Sequence, residues 1–113
     1  MKPRDATTTV RVMSEIGAQL DISVTTDGWA LNGEIDAHTA PTLERTLAEL
    51  PGDVATIDVA GVTFMDSSGL RVLMAATLRA RESGGDLIIA HPTPGIVRLV
   101  EISGLSEHLR LDS

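Results

Sequence analysis

The sequence predicts an α/β fold, in which one domain holds a mixed, mostly parallel sheet of four to five strands and three to four helices. Its length of 113 residues suits a single domain. Apolar residues first recur with period 2, and beyond residue 35 strand-like runs alternate with helical stripes. This alternation is typical of parallel strands joined by helices through right-handed crossovers.

The sheet is predicted to begin with an antiparallel hairpin. Three apolar residues alternate with polar ones, as in a half-buried strand: Leu20, Ile22 and Val24. Asp27-Gly28 then predicts a tight turn, because glycine accepts a positive φ at no steric cost. The run from Trp29 to Leu31 returns as the second strand, and this antiparallel pair makes the predicted sheet a mixed one.

The first helix is predicted from its apolar stripe and from its start. Leu43, Leu47 and Leu50 fall at i, i+4 and i+7, which places them on one helical face. Thr39 is expected to be the N-cap, and Pro41 suits the first turn, where its missing N–H is not needed.

A long central strand and a second helix follow. Residues 54–65 are apolar on both faces towards their end, so this strand is expected to be covered on both sides. The second helix begins at the Asp-Ser-Ser-Gly element and carries an apolar stripe: Leu70, Leu73, Met74, Leu78 and Ala80. Gly84 is expected at the position after its C-cap, where a left-handed conformation is needed.

The remaining segments complete the predicted domain. Residues 87–90 predict a short strand. A third helical stripe ends at Gly104: Ile96, Leu99, Val100 and Ile102. Residues 105–111 predict a turn of helix and a last strand. We expect residues 18–113 to form the domain, and residues 1–17 to be a flexible segment or an extra edge element.

Composition excludes several classes of function. Nine Lys and Arg against 16 Asp and Glu give a net charge of −7, so direct binding of nucleic acid or anionic membranes is not expected. Without cysteine there is no thiol chemistry. No two of His38, His91 and His108 are three or four residues apart, so no metal site is expected.

Sequence motifs of enzymes and of exported proteins are likewise missing. Neither a phosphate-binding loop nor a Gly-x-Ser-x-Gly elbow occurs, so we expect no bound cofactor and no catalytic residues. A hydrolase using Ser68 with a histidine stays a minor alternative, because a triad is a spatial arrangement. No signal peptide or membrane-spanning run is found, so a cytoplasmic location is expected.

The most informative segment is Asp66-Ser67-Ser68-Gly69, where a buried strand delivers two hydroxyls to the start of a helix. The first N–H groups of a helix lack intrahelical partners and attract anions, including a phosphate carried on serine. Asp66 or Ser67 can cap this helix, and Gly69 would leave Ser68 open to a partner's active site. From the spacing alone, capping without any further function is the alternative interpretation, since Asp and Ser before a helix are ordinary caps.

Asp36 is the second candidate, because it ends a strand where the first helix departs. Asp36 and Ser68 follow strands predicted to be parallel, so they are expected to share the carboxyl edge of the sheet, where ligands gather. The alternative is a loop aspartate that bonds the backbone near a helix start.

These segments together resemble the STAS domain, and specifically bacterial anti-sigma factor antagonists. The resemblance runs from near Leu20 to the C-terminus. Its motifs are Gly33-Glu34-Ile35-Asp36 with Thr39-Ala40-Pro41, residues 62–70 around Asp66-Ser67-Ser68-Gly69, and Ile102-Ser103-Gly104-Leu105.

The resemblance implies a regulatory switch without enzymatic activity. The unphosphorylated protein would bind an anti-sigma factor that is also a serine kinase of the histidine-kinase-like ATPase type, and so release the sigma factor. Phosphorylation of Ser68 would end this binding, and a serine phosphatase would restore it. The implied contact residues are Asp36, Thr39, Asp66, Ser67, Ser68, Gly69 and Arg71.

Alternatives remain within this resemblance. Arg71 stands where many relatives carry glycine, so the second helix is expected to select a different kinase. The same fold can also serve as a scaffold or accessory subunit of a stress-signalling assembly or of a lipid or anion transport complex. Nucleotide binding by the domain itself is a third class. A monomer is expected, although an exposed sheet edge would allow a dimer.

Overall fold

The computed structural model describes residues 9–13, 19–49 and 53–112, which form six strands and three helices. In chain order the elements are β1 (Thr9–Met13), β2 (Gln19–Val24), β3 (Gly28–Ile35), α1 (Ala40–Leu47), β4 (Val54–Met65), α2 (Ser67–Glu82), β5 (Asp86–Ala90), α3 (Pro94–Ile102) and β6 (Arg110–Asp112). The predicted α/β class with a mixed sheet and three helices is confirmed.

The six strands are hydrogen-bonded in the same order as they occur along the chain. β1, β2 and β3 are antiparallel, whereas β3 to β6 are parallel neighbours joined by the three helices. The sheet has one strand more than the expected four to five, because residues 9–13 pair with β2 at the sheet edge. The rest of residues 1–17 lies outside the described residues.

One face of the sheet is buried under the helices. Alternate strand residues such as Leu31, Ile57 and Ile89 are 0–1% exposed and share one apolar cluster with helix residues. The prediction that the central strand is covered on both faces is wrong. Phe64 pairs with Glu34 on the opposite face and is 51% exposed, because the three crossovers place their helices on a single side.

β4 contains two extra residues relative to β3. The pairing passes from Ala30–Asp58 to Asn32–Gly61, and from Gly33–Val62 to Glu34–Phe64. At the first shift Val59 and Ala60 of β4 lie opposite Leu31 alone, and at the second Thr63 has no direct partner, so each shift adds one residue to β4, as in a β-bulge. The two strands are back in step at Ile35 and Met65, the last residue of each strand.

The helical stripes agree with the predictions except at two positions. Leu43 and Leu47 of α1 are fully buried, while Leu50 lies outside the described residues. Leu78 is 50% exposed, because eight residues of helix after Leu70 turn it about 80° away from the sheet. Ile102 is 76% exposed because it lies two residues after the buried Val100, on the opposite side of α3.

Two glycines are required by the backbone. Gly84 has φ +88° after the C-cap of α2, as predicted, and the next N–H donates to the Ala80 carbonyl at 2.8 Å. Gly28 closes the predicted hairpin by accepting from the Thr25 N–H at 2.8 Å. A Cβ on Gly28 would lie 2.2 Å from the Thr56 carbonyl oxygen, so close approach to β4 also demands glycine.

The Asp86 carboxylate connects α2, β5 and β6. It lies at the start of β5, at the end of the sheet opposite to the first turn of α2. Asp86 of β5 pairs with Arg81 of α2 at 3.0 Å and with Arg110 of β6 at 3.5 Å, and it accepts from the Leu87 N–H at 2.8 Å. Burial raises the pKa of Asp86, but these donors and the Arg81 charge outweigh it and hold that pKa below its usual value.

Candidate functional site

The ends of β3 and β4 place two aspartates next to each other. Ile35 and Met65 are paired in register, and the Asp66 N–H donates to the Ile35 carbonyl at 3.1 Å. Asp36 and Asp66 therefore leave neighbouring parallel strands at the same edge. This places Asp36 beside the segment that carries Ser68, as the sequence predicted.

A network of backbone hydrogen bonds fixes the loop after β3. The Asp36 carboxylate accepts from the N–H groups of His38 at 2.8 Å and Thr39 at 3.1 Å. The Thr39 hydroxyl accepts from the Asp36 N–H at 3.0 Å and donates to the Glu34 carbonyl at 3.0 Å. Asp36 is thus the backbone-bonding loop aspartate of the alternative interpretation, and its carboxylate is held in place at the sheet edge.

Thr39 differs from its prediction in two respects. It occupies the N-cap position of α1 in a helical conformation, and its side chain makes no capping bond, because the hydroxyl points back to the strand end. Its side chain is also 0% exposed. The expectation that Thr39 contacts a partner is therefore corrected: a fully buried side chain can only position the Asp36 loop.

Asp66 rather than Ser67 caps α2. Asp66 has an extended backbone, and its Oδ1 accepts from the Ser68 N–H at 2.8 Å. Its carbonyl accepts from the N–H groups of Gly69 at 3.1 Å and Leu70 at 3.2 Å. This leaves both serine hydroxyls free of the capping role.

Two grooves flank the first turns of α2, and each contains one serine. Ser68 lines a groove of about 370 Å³ between α1 and α2, with Glu44 on the opposite wall. Ser67 lines a smaller, more apolar groove of about 250 Å³. Arg71 is exposed and borders both grooves. The two serines therefore face different surfaces that share one cation.

Gly69 has a packing role instead of the predicted role of leaving Ser68 open. It is buried, and a Cβ on it would lie 2.5 Å from Ile35 Cγ2 and 3.0 Å from Met65 Cγ. Only glycine lets the first turn of α2 lie this close to the ends of β3 and β4. Gly69 thus lets α2 pack against the strand ends beneath the site, and it has no side chain that could contact a partner.

Three of the residues that line the two grooves were not among the site residues predicted from the sequence. Glu44 lies one helical turn after Pro41, and this spacing was the available signal for its place on the groove wall. Ser103 and Leu105, which belong to a motif quoted for the resemblance, line the smaller groove beside Ser67. Their distance in sequence from Ser67 gave no sign that the fold brings them together.

The histidines do not gather into a site. His38 Nδ1 lies 3.8 Å from Asp36 Oδ1, and His91 Nδ1 lies 3.4 Å from Asp58 Oδ1. Within the described residues, no group of three or more His, Asp or Glu side chains could hold a metal ion. No helix among those residues is both long and apolar enough to span a membrane.

The sheet order, the one-sided helices and the aspartate pair beside a capped serine helix define a class of domain. The family model described as "Mlab, STAS domain" matches residues 18–111. The chain belongs to the STAS domain family.

Curated relatives agree with this assignment. The chain is 37% identical over 82 residues to the anti-sigma-B factor antagonist of Listeria monocytogenes, covering 70% of this chain and 72% of the relative. It is 32% identical over 77 residues to the protein of the same name from Bacillus subtilis, covering 66% of this chain and 71% of that one.

Solved structures show the same fold. An anti-sigma factor antagonist from Mycobacterium paratuberculosis superposes with a TM-score of 0.65 and 27% identity, over 99% of this chain and 90% of that one. The anti-sigma factor antagonist SpoIIAA in its unphosphorylated form gives a TM-score of 0.62 over 83% of this chain and 88% of that one. At 18% identity, SpoIIAA is evidence for the fold alone.

Proposed function

We propose that this protein is an anti-sigma factor antagonist whose unphosphorylated form binds an anti-sigma factor and so releases a sigma factor. The observation that carries the proposal is the placement of Ser68. Its hydroxyl is free of the capping role and borders an open groove, beside two strand-end aspartates. The names of the relatives supply the class of partner.

The proposed partner is an anti-sigma factor that is also a serine kinase of the histidine-kinase-like ATPase type. Ser68 is its proposed phosphorylation site, and a serine phosphatase reverses the modification. The proposed contact surface consists of Asp36, Asp66, Ser67, Ser68 and Arg71, with the buried Thr39 and Gly69 positioning it. We place this exchange in the cytoplasm, and the protein's own role is regulatory.

Electrostatics supports a switch at Ser68. A phosphate adds about −1.5 to −2 charges at pH 7. The Asp66 carboxylate is bonded to the backbone N–H of Ser68 itself, so the added charge meets a negative neighbour at close range. Docking would remove water from the phosphate and this carboxylate together, so the repulsion between them costs more in the complex than in the free protein. Because each 1.4 kcal/mol changes an affinity tenfold, a penalty of a few kcal/mol on docking would be enough to release the partner.

An affinity pull-down from the native cytosol tests the proposal, with partners identified by mass spectrometry. The baits are the parent protein, Ser68→Ala, Ser68→Glu and the control Ser83→Glu. Ser83 is the C-cap of α2, so the control adds the same charge at the opposite end of that helix. The parent, Ser68→Ala and Ser83→Glu are expected to capture an ATPase of the stated type, and Ser68→Glu to lose it.

Two outcomes would contradict the proposal. Equal capture of the ATPase by all four baits would refute the proposal that phosphorylation of Ser68 controls binding. Capture of a membrane transport complex or a large assembly by every bait, without such an ATPase, would instead support the scaffold or accessory function.

A further inference from the structure

The first turn of α2 has little left to offer a phosphate on Ser68. The N–H groups of Ser68, Gly69 and Leu70 all donate to Asp66, either to its carboxylate or to its carbonyl. A helix N-terminus attracts anions mainly through its first four N–H groups, which lack i→i−4 partners. Here the Asp66 N–H donates to the Ile35 carbonyl and those of Ser68 and Gly69 donate to Asp66, while the Leu70 N–H makes the ordinary helical bond. The capping carboxylate also repels a phosphate. A cation near Ser68 would therefore stabilise a phosphate there more than the end of the helix can.

Arg71 is suitably placed to supply that cation. It lies three residues after Ser68 on α2, a spacing that brings Cβ atoms to roughly 5–6 Å on one helix surface. Both residues border the groove between α1 and α2. Arg71 is exposed and has no hydrogen bond or ion pair within the part of the chain that the structure describes. The other charged residue lining that groove is Glu44, which cannot serve.

We propose that Arg71 pairs with the phosphate on Ser68 and holds it in the groove between α1 and α2. The inference rests on the proposed function and adds a positioning residue for the modified state. A guanidinium presents parallel N–H groups that match two phosphate oxygens, so the pair is directional as well as ionic. Arg71 also borders the smaller groove that contains Ser67. Pairing with the phosphate would therefore reduce the positive charge that Arg71 presents to the smaller groove.

Phosphorus-31 NMR on protein carrying phosphoserine at position 68, incorporated during translation, tests this pairing. A nearby cation favours the dianion, so the second phosphate pKa is expected to be lower in the parent than in Arg71→Gln. For an exposed pair the difference should be roughly 0.3–0.7 pH units. Arg71→Lys should retain part of it, and the control Arg98→Gln, on α3, should match the parent.

A second measurement uses salt and an added phosphatase. The difference between parent and Arg71→Gln should shrink in about 1 M salt, where the screening length is about 3 Å. A broad-specificity phosphatase should remove the phosphate from Arg71→Gln at least about twofold faster, because the unpaired phosphate is more accessible. Equal phosphate pKa values and equal hydrolysis rates in parent and Arg71→Gln would overturn the inference.

The two proposals fail in distinguishable ways. Incorporated phosphoserine needs no kinase, so the titration does not depend on the partner. ATPase capture together with equal titrations would overturn the role of Arg71 alone. A clear titration difference without any ATPase capture would overturn the proposed partner and leave the Arg71 pairing standing.

Discussion

At the residue scale, the absence of a side chain at Gly69 determines how closely α2 approaches the strand ends. Ile35 and Met65 occupy the space in which a Cβ would lie. They are also the last residues of the strands that carry Asp36 and Asp66. A change at Gly69 therefore acts on the helix cap and on the aspartate pair together.

Gly69→Ala is expected to lower the free energy of unfolding by about 1–3 kcal/mol, because the added methyl overpacks a filled site. Urea titration at pH 7 measures the change. Gly95→Ala in α3 is the matched control: its added Cβ would meet Thr93 Oγ1 at 3.9 Å, which is ordinary contact. The control should be neutral or stabilising by up to about 1 kcal/mol. Equal losses in both variants would contradict the packing role.

At the element scale, Asp86 joins α2, β5 and β6 through one carboxylate. Its partners are the guanidinium groups of Arg81 and Arg110 and the backbone N–H of Leu87. Arg81 also donates to the His108 carbonyl at 2.8 Å, so the same arginine holds the segment that leads into β6. The network thus connects the end of α2 to the last strand.

Asp86→Asn is expected to lower the free energy of unfolding at pH 7, and to lower it by a smaller amount at pH 3. The folded pKa of Asp86 lies below its unfolded value, so its ionisation stabilises the fold above about pH 4, the unfolded pKa. This contribution is lost as the pH falls through the folded pKa. Urea titrations at pH 7 and pH 3 should show the parent's advantage shrinking. The control Asp53→Asn, at an exposed position, should change the free energy of unfolding at pH 7 by less than about 0.5 kcal/mol. A difference between parent and Asp86→Asn that stays constant from pH 7 to pH 3 would refute the linkage.

The features that depend on local sequence patterns were predicted correctly, whereas those that depend on how the helices and strands pack together were not. The shared edge of Asp36 and Ser68 was predictable, because parallel strand ends meet there. The exposure of Phe64 was not, because nothing local shows on which side the crossovers place the helices. The reversed Thr39 hydroxyl and the two-sided position of Arg71 likewise depend on contacts between elements.

At the scale of the whole molecule, the C-terminal segment belongs to the core. Leu109 is 5% exposed and lies in the same apolar cluster as the strands of the central sheet. β6 then adds a parallel strand beside β5. These contacts predict that residues 105–112 unfold together with the rest of the domain.

Leu109→Ala should therefore lower the global free energy of unfolding by about 2–5 kcal/mol while keeping a single transition. Fluorescence of Trp29, the sole tryptophan, and far-UV circular dichroism should give coincident urea curves. Ile102→Ala, at a 76% exposed position, should stay within about 0.5 kcal/mol of the parent. An early separate transition in the parent would mean that the C-terminal segment unfolds independently.

The two extra residues of β4 constrain how the length of this strand can change during evolution. They return Met65 to the level of Ile35, which is what lets the Asp66 N–H reach the Ile35 carbonyl. Losing one residue between Asp58 and Phe64 would move Asp66 by about 3.3 Å and turn the following side chains to the other face. Insertions and deletions within β4 should therefore be rare among homologues that keep both aspartates, even where the amino acids of this strand differ.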